Sequence, residues 1–244
     1  MLPKLDIPTY EISLVSNDQK IKFRPFLVKE EKILLMALES GQENDILRAI
    51  KQILQNCIIT EINIDDLPLF DLQYIFLQLR ARSVGETIEV RLRHRDGINK
   101  NGVECDGTQL IKINIDEIRP SKNKKLEPKI ELSKDIGIVL KYPTVDILDK
   151  ISTTSNTQGI LDNTFEIVAE SVDYIYEKDE IYHRKDHKKE EFVEFLNNLN
   201  SEQFEKIKEF FSNMPTMSLT KNYRCKKCGI DEELELKTLE DFFS

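Results

Sequence analysis

An α+β fold is what this sequence predicts: helical segments around a small antiparallel sheet, with a split zinc ribbon formed by two knuckle hairpins. Three observations lead there. Apolar residues recur at every second position in short runs separated by polar turns, the pattern of paired strands. Longer stretches switch to helical period. Near the C-terminus stands Tyr223-Arg224-Cys225-Lys226-Lys227-Cys228-Gly229. Its cysteines can turn both thiolates onto one metal, and glycine tolerates the positive φ of so tight a turn.

Tyr10, Ile12 and Leu14 alternate, Ser16-Asn17-Asp18 forms a turn, and Ile21 and Phe23 resume the alternation up to Pro25. Residues 28–39 carry Ile33, Leu34, Met36, Ala37 and Leu38 on one helical face, and Ser40-Gly41 stops the helix. Asn44 or Asp45 is read as the cap of a second helix with Ile46, Leu47, Ile50, Ile53 and Leu54 inside. Asp65 or Asp66 is read as the cap of a third, whose run Phe70 to Leu79 is apolar on more than one side and so belongs between other elements. From Glu86 the period returns to two. Ile88, Val90 and Leu92 lead to His94, and Leu110, Ile111, Ile113 and Ile115 follow a loop with Gly97, Gly102 and Gly107. Ile130 to Leu132 and Ile138 to Tyr142 are two further strands. The remainder reads as mostly helical: Asn163 or Thr164 caps a helix carrying Phe165, Ile167, Val168, Ala169, Val172 and Ile175. After a very polar stretch from Glu177 to Lys189 come two more helices, one through Phe192 to Leu199 and one opening at Ser201.

Four segments follow: 1–120 with the first strand pair, helices and first knuckle hairpin; 121–143 with a lysine-rich connector and strands; a helical 144–214; and 215–244 with the second knuckle, forming one body with 86–120. The chain has 244 residues, 40% of them hydrophobic and 32% charged, enough for a core beneath a charged surface. Its net charge of −9 opposes bulk binding of nucleic acid, leaving room only for local phosphate contact at basic clusters such as Arg91 to Arg95. No apolar run approaches the ~18 residues of a membrane span, and no leader pattern opens the chain. The expectation is a protein of the cytoplasm or of particles assembled there. Four cysteines at irregular spacing do not make a secreted disulfide framework. Metal ligation plus one buried thiol, Cys57 on an apolar helical stripe, suits them better.

A structural zinc takes four ligands, and Cys225 and Cys228 are two. The earlier hairpin repeats the later one in order: strand, ligand, turn, cysteine near glycine, strand, acidic segment. His94 then corresponds to Cys225 and Cys105 to Cys228, giving His94, Cys105, Cys225 and Cys228 as a closed tetrahedral set. The alternative is a surface His94 and an unpaired Cys105. With the metal, the end of the chain is tied to its middle and 144–214 becomes an excursion from one body.

Catalytic patterns are scarce: no phosphate loop, nucleophile elbow or H-E-x-x-H helix occurs. His183 and His187 could share a helix face beside Asp179, Glu180, Asp186 and Glu190. Their lysine- and arginine-rich surroundings, without apolar residues to build a pocket, read as a solvated charged segment. The sequence therefore predicts no enzyme.

The stretch Phe23-Arg24-Pro25-Phe26-Leu27-Val28-Lys29-Glu30-Glu31-Lys32-Ile33-Leu34-Leu35-Met36-Ala37 resembles the T4-type bacteriophage baseplate hub protein family. So do Leu77 to Glu86, Ile138 to Thr144, Gln203 to Pro215 and the Cys225-x-x-Cys228-Gly229 knuckle, in the same succession over nearly the whole chain. The family pattern favours a cysteine pair at both knuckles. This sequence departs from it, with Gly102 near where the first cysteine of the earlier pair would fall. The resemblance implies a non-catalytic component of the tail baseplate hub of a contractile-tailed phage, located in the virion. Its partners would be other hub and tail proteins, and its copies would follow three-fold hub symmetry. The apolar ends (Leu2, Leu5 and Ile7; Leu239, Phe242 and Phe243) either dock on neighbours or pack on the chain's own core. The competing reading is a zinc-ribbon interaction module in nucleic-acid transactions.

Overall fold

The N-terminal alternation folds as β1 (Tyr10–Ser13) and β2 (Lys20–Phe23), paired antiparallel with Tyr10 opposite Phe23. Leu14, Ile21 and Phe23 point to the buried side. The computed structural model describes residues 6–93, 105–121, 127–147 and 160–236. Its architecture is α+β, with small antiparallel sheets and several helices. The backbone divides into two units: Met1–Ile62, Phe70–Ser121 and Thr216–Ser244 form the first, and Asn63–Leu69 with Lys122–Pro215 the second.

In the first unit α1 (Val28–Ser40) starts where Leu27 is extended and donates its N–H to Glu30 Oε2 at 2.9 Å. Gly41 ends it at φ 63, the left-handed conformation that glycine adopts without a Cβ clash. Glu30, Leu34 and Ala37 are buried. Helix α2 (Glu43–Cys57) corrects the expected cap: it begins after extended Gln42, whose carbonyl accepts from the backbone of Asp45 and Ile46, so Asn44 and Asp45 lie inside its first turn. Helix α3 (Leu69–Ser83) is buried nearly all round, with Phe70, Leu72, Ile75, Phe76, Leu77, Leu79 and Ala81 inside. Asp65 and Asp66 do not cap it. They form a 3₁₀ turn in the second unit, where Asn63 Oδ1 accepts the Asp65 N–H.

Two polar groups tie this unit together. Asp71, fully buried on α3, accepts the backbone N–H of Val15 at 2.7 Å and of Ser16 at 3.3 Å. Burial pushes its carboxyl up, against those hydrogen bonds. Glu30 is drawn up by burial but held below the ordinary range by the Arg24 guanidinium at 3.0 Å and the Leu27 N–H. Arg24 also donates to the carbonyls of Pro25 and Asn56.

Strands β3 (Thr87–Arg93) and β4 (Thr108–Asn114) pair antiparallel from Thr87 opposite Asn114 to Arg93 opposite Thr108. Short β5 (Arg119–Pro120) pairs with β10 (Met217–Arg224), which pairs antiparallel with β11 (Asp231–Leu236). Leu77 and Ala81 of α3 close a core with Ile88, Val90, Ile113, Ile115, Ile118, Met217 and Leu236.

The second unit holds a four-stranded antiparallel sheet in sequence order: β6 (Lys129–Glu131), β7 (Ile136–Leu140), β8 (Val172–Glu177) and β9 (Glu180–His183). Strands β8 and β9 overturn the mostly helical reading of this region. Helix α4 (Ile160–Glu170) begins before Asn163 and Thr164 and stops at Ser171, whose N–H closes the last turn onto Ile167. Val172, Tyr174, Ile175 and Tyr176 then run extended, since β-branched and aromatic residues fit a pleated surface with β7 alongside. Helices α5 (Lys189–Asn197) and α6 (Ser201–Ser212) cover the sheet through Phe192, Leu196, Ile207 and Phe210, which join Leu132, Ile138, Leu140, Val168, Ala169, Val172 and Ile175 in one core. The opening of α6 is a reciprocal cap: Asn200 Oδ1 accepts the Gln203 N–H, and Gln203 Oε1 the Asn200 N–H.

Candidate metal centre

The β10–β11 connection is short and its geometry is set by hydrogen bonds. Cys225 donates its N–H to Ile230 O at 2.8 Å, and Gly229 donates to Cys225 O at 2.8 Å. Closing the turn this way puts Gly229 at φ 73, as the Cys-x-x-Cys-Gly spacing requires. Arg224 Nε donates to Gly229 O from outside the turn. Cys225 is thereby buried and Cys228 half-buried.

Cys105 stands three residues before β4 and is buried with only 4% exposure. One ligand atom from each of Cys105, Cys225 and Cys228 lies within 4.8 Å of the other two. Cys105 Sγ is 3.9 Å from Cys225 Sγ, across 120 residues of sequence. A covalent disulfide would need about 2.05 Å. Thiolates around a tetrahedral ion with metal–sulfur bonds of about 2.3 Å stand roughly 3.8 Å apart, so the observed spacing suits ligands of one ion. Burial raises the Cys228 thiol above its ordinary value. A backbone hydrogen bond with Ile230 opposes this, and the adjoining sulfurs of Cys225 and Cys105 add to the rise. Deprotonated together, three sulfurs this close would repel one another, and a bound cation would offset that repulsion. The three sulfurs could hold a metal ion.

Surroundings keep the two segments in contact. Lys227 pairs with Asp106, and the Lys226 N–H donates to Gln109 Oε1 at 3.1 Å. Lys221 Nζ reaches Glu117 Oε2 at 3.1 Å. Gly107 presses directly on the sulfurs: a Cβ there would lie 2.9 Å from Cys225 Sγ and 3.3 Å from Cys105 Sγ. The hairpin repeat set a glycine beside Cys105, but nothing in it foretold the contact of Gly107 with the sulfurs.

Of the sequence-predicted ligands, the structure brings Cys105, Cys225 and Cys228 together, while His94 lies outside the described residues. Cys57 is 1% exposed, and burial pushes its thiol up to about 11, as for a small core residue. His183 and His187 do not share a helix face. His183 ends β9, a 3₁₀ turn intervenes, and His187 Nδ1 stands 3.1 Å from Glu191 Oε2. A pocket does exist beside His187, contrary to the sequence expectation. Ile136, Ile175, Tyr182, Phe192 and Phe195 line this cavity of about 330 Å³ with Glu177, His187 and Glu191. Its walls come from β7, β8 and β9 and from α5, spread over residues 136–195, a span wider than local composition samples.

Among the described residues no helix is long and apolar enough to cross a membrane. No curated protein and no solved structure matches the chain. Residues 7–244 match the T4 bacteriophage base plate protein family, so the chain belongs to that family and is a component of the virion's tail baseplate, assembled in the host cytoplasm.

Proposed function

We propose that the chain is a structural and assembly component of the central hub of the baseplate, non-catalytic, acting through contacts with other hub and tail proteins and stabilised by a structural zinc. Its copies are arranged around the tail axis, three by the symmetry of a hub. The observation that carries this reading is the convergence of Cys105, Cys225 and Cys228 from segments 120 residues apart. Such a cluster fastens strands together, a task suited to a protein that must keep its surface in register within a particle. Thiolate sulfur is soft and favours zinc among the abundant divalent ions. His94 is the proposed fourth ligand. It is bonded to Arg93, the last residue of β3, whose register partner Thr108 adjoins Gly107 at the sulfurs. The net charge of −9 weighs against a nucleic-acid role for the ribbon.

The test is fractionation of baseplate assembly intermediates from infected cells with the chain tagged. Co-sedimentation with hub intermediates, and arrest of hub assembly when the chain is depleted, is the expected result. A chain found only outside those intermediates, or one that shifts DNA in a salt-dependent manner, would overturn the reading.

A further inference from the structure

Helix α1 has two unlike faces. Glu30, Leu34 and Ala37 are buried, whereas Val28, Lys32, Leu35, Met36 and Glu39 are exposed. At helical spacing these five fall within an arc of roughly 100°. Three are apolar and far from buried: Val28 is 66%, Leu35 53% and Met36 71% exposed. Positions 28, 32, 35 and 39 also recur at the alternating four and three spacing of a seam between two helices. Scattered apolar residues on a surface need no explanation, but a seam-spaced stripe does.

Charge identifies what closes it. Lys32 and Glu39 lie two turns apart on the stripe, about 10.5 Å along the axis, too far to pair within one helix. Neither has an ion-pair partner among the described residues. We propose that α1 of a second copy covers the stripe, antiparallel, crossing at Leu35 and Met36. That crossing brings Lys32 of each copy level with Glu39 of the other, giving two equivalent ion pairs around an apolar centre. The contact is self-complementary, as a two-fold interface must be. A parallel pairing would set Lys32 on Lys32 and Glu39 on Glu39, where like charges repel. An isologous contact cannot close a three-fold ring, so this dimer is a state of the free protein before incorporation. One helix face buries less than the roughly 1,200 Å² of a stable complex, so association is weak and reversible. The dimer itself rests neither on the metal nor on the hub reading; only its place before incorporation rests on the three-fold hub.

Analytical ultracentrifugation of the full chain from micromolar to submillimolar concentration tests it. The wild type passes from monomer to dimer across that range. Met36→Glu stays monomeric, and Leu35→Gln supplies the same reading if Met36→Glu does not fold. Lys32→Glu and Glu39→Lys each weaken the dimer by on the order of tenfold, and the two together restore it. A wild type that remains monomeric or forms trimers overturns the proposal. So does a dimer indifferent to Met36→Glu and Leu35→Gln, or a double charge exchange no stronger than its single parents.

Discussion

Replacing Cys105 by serine separates a metal that fastens the fold from one that merely decorates a Cys-x-x-Cys turn. In the unfolded chain Cys225 and Cys228 remain neighbours, but Cys105 must be recruited across 120 residues. Closing a loop of that length costs about 1.5RT ln(120), roughly 4 kcal/mol. The folded chain has already placed the third sulfur, so its affinity for metal should exceed that of the unfolded chain by about a thousandfold. Binding then stabilises the native state by ~4 kcal/mol at saturating metal. For a chain of this size that corresponds to a fall in Tm of roughly 8–16 °C when the ion is removed. Scanning calorimetry with and without a chelator, alongside elemental analysis for one equivalent of zinc, measures both quantities. Cys105→Ser loses the third sulfur and keeps the local pair with only the proposed His94 beside it, so its chelator-dependent shift should fall well below that of the wild type. A wild type without stoichiometric metal, or one whose Tm ignores the chelator, refutes the reasoning. A Cys105→Ser protein with the full chelator-dependent shift refutes it equally.

Three other outcomes follow from the packing. Gly107→Ala places a Cβ 2.9 Å from Cys225 Sγ, and zinc affinity should drop at least roughly tenfold in a competitive chelator titration, the size of effect seen when a ligand's support is disturbed. Asp71, its carboxyl raised by burial, binds more protons folded than unfolded between the ordinary aspartate range and its native value. Stability therefore falls as pH rises through that window. Asp71→Asn still accepts the Val15 N–H but cannot ionise, so its urea midpoint relative to the wild type should climb with pH across the window and then level off; parallel curves would show that Asp71 does not titrate differently on folding. Glu30→Ala removes the partner of Arg24 and the acceptor of the Leu27 N–H, and chemical denaturation should register a loss of about 1.5–3 kcal/mol.

Where the sequence was legible, neighbours in the chain decided the structure. The β1–β2 and β10–β11 pairs, the stop of α1 at Gly41 and the opening of α6 at Ser201 are all set within a few residues. Strand β8 was not legible in this way. Val168, Val172 and Ile175 continue the apolar spacing of α4, so helix and strand look alike until β7 supplies hydrogen-bond partners from more than thirty residues away. Asp71 was missed for a related reason: an acid near a helix start reads as ordinary first-turn chemistry, and only the approach of Val15 and Ser16 makes it an internal acceptor. For the candidate metal centre, the repeat of hairpins placed Cys105 opposite the later knuckle. No local signal said that Gly107 would have to press on the sulfurs for the approach to succeed.

The segments that resemble the baseplate family turn out to be joined to one another within each unit. In the first, Phe26 of the Phe23–Ala37 stretch donates its N–H to Ser83 Oγ of the Leu77–Glu86 stretch at 2.9 Å, and Arg24 and Glu30 lock the turn between them and α2. In the second, Tyr142 of the Ile138–Thr144 stretch stacks on Phe210 of the Gln203–Pro215 stretch with ring centroids 5.9 Å apart. Gln203 also donates to Leu132 O. The knuckle meets Cys105, outside those stretches, with 3.9 Å between the Sγ atoms of Cys105 and Cys225. The family pattern thus describes internal fastenings, which explains how it can be specific while containing no chemically diagnostic motif. Val28, Leu35 and Met36 are the apolar exception within the first stretch, each more than half exposed. Internal joints do not account for the exposed apolar surface of those three side chains, and a second copy of α1 does.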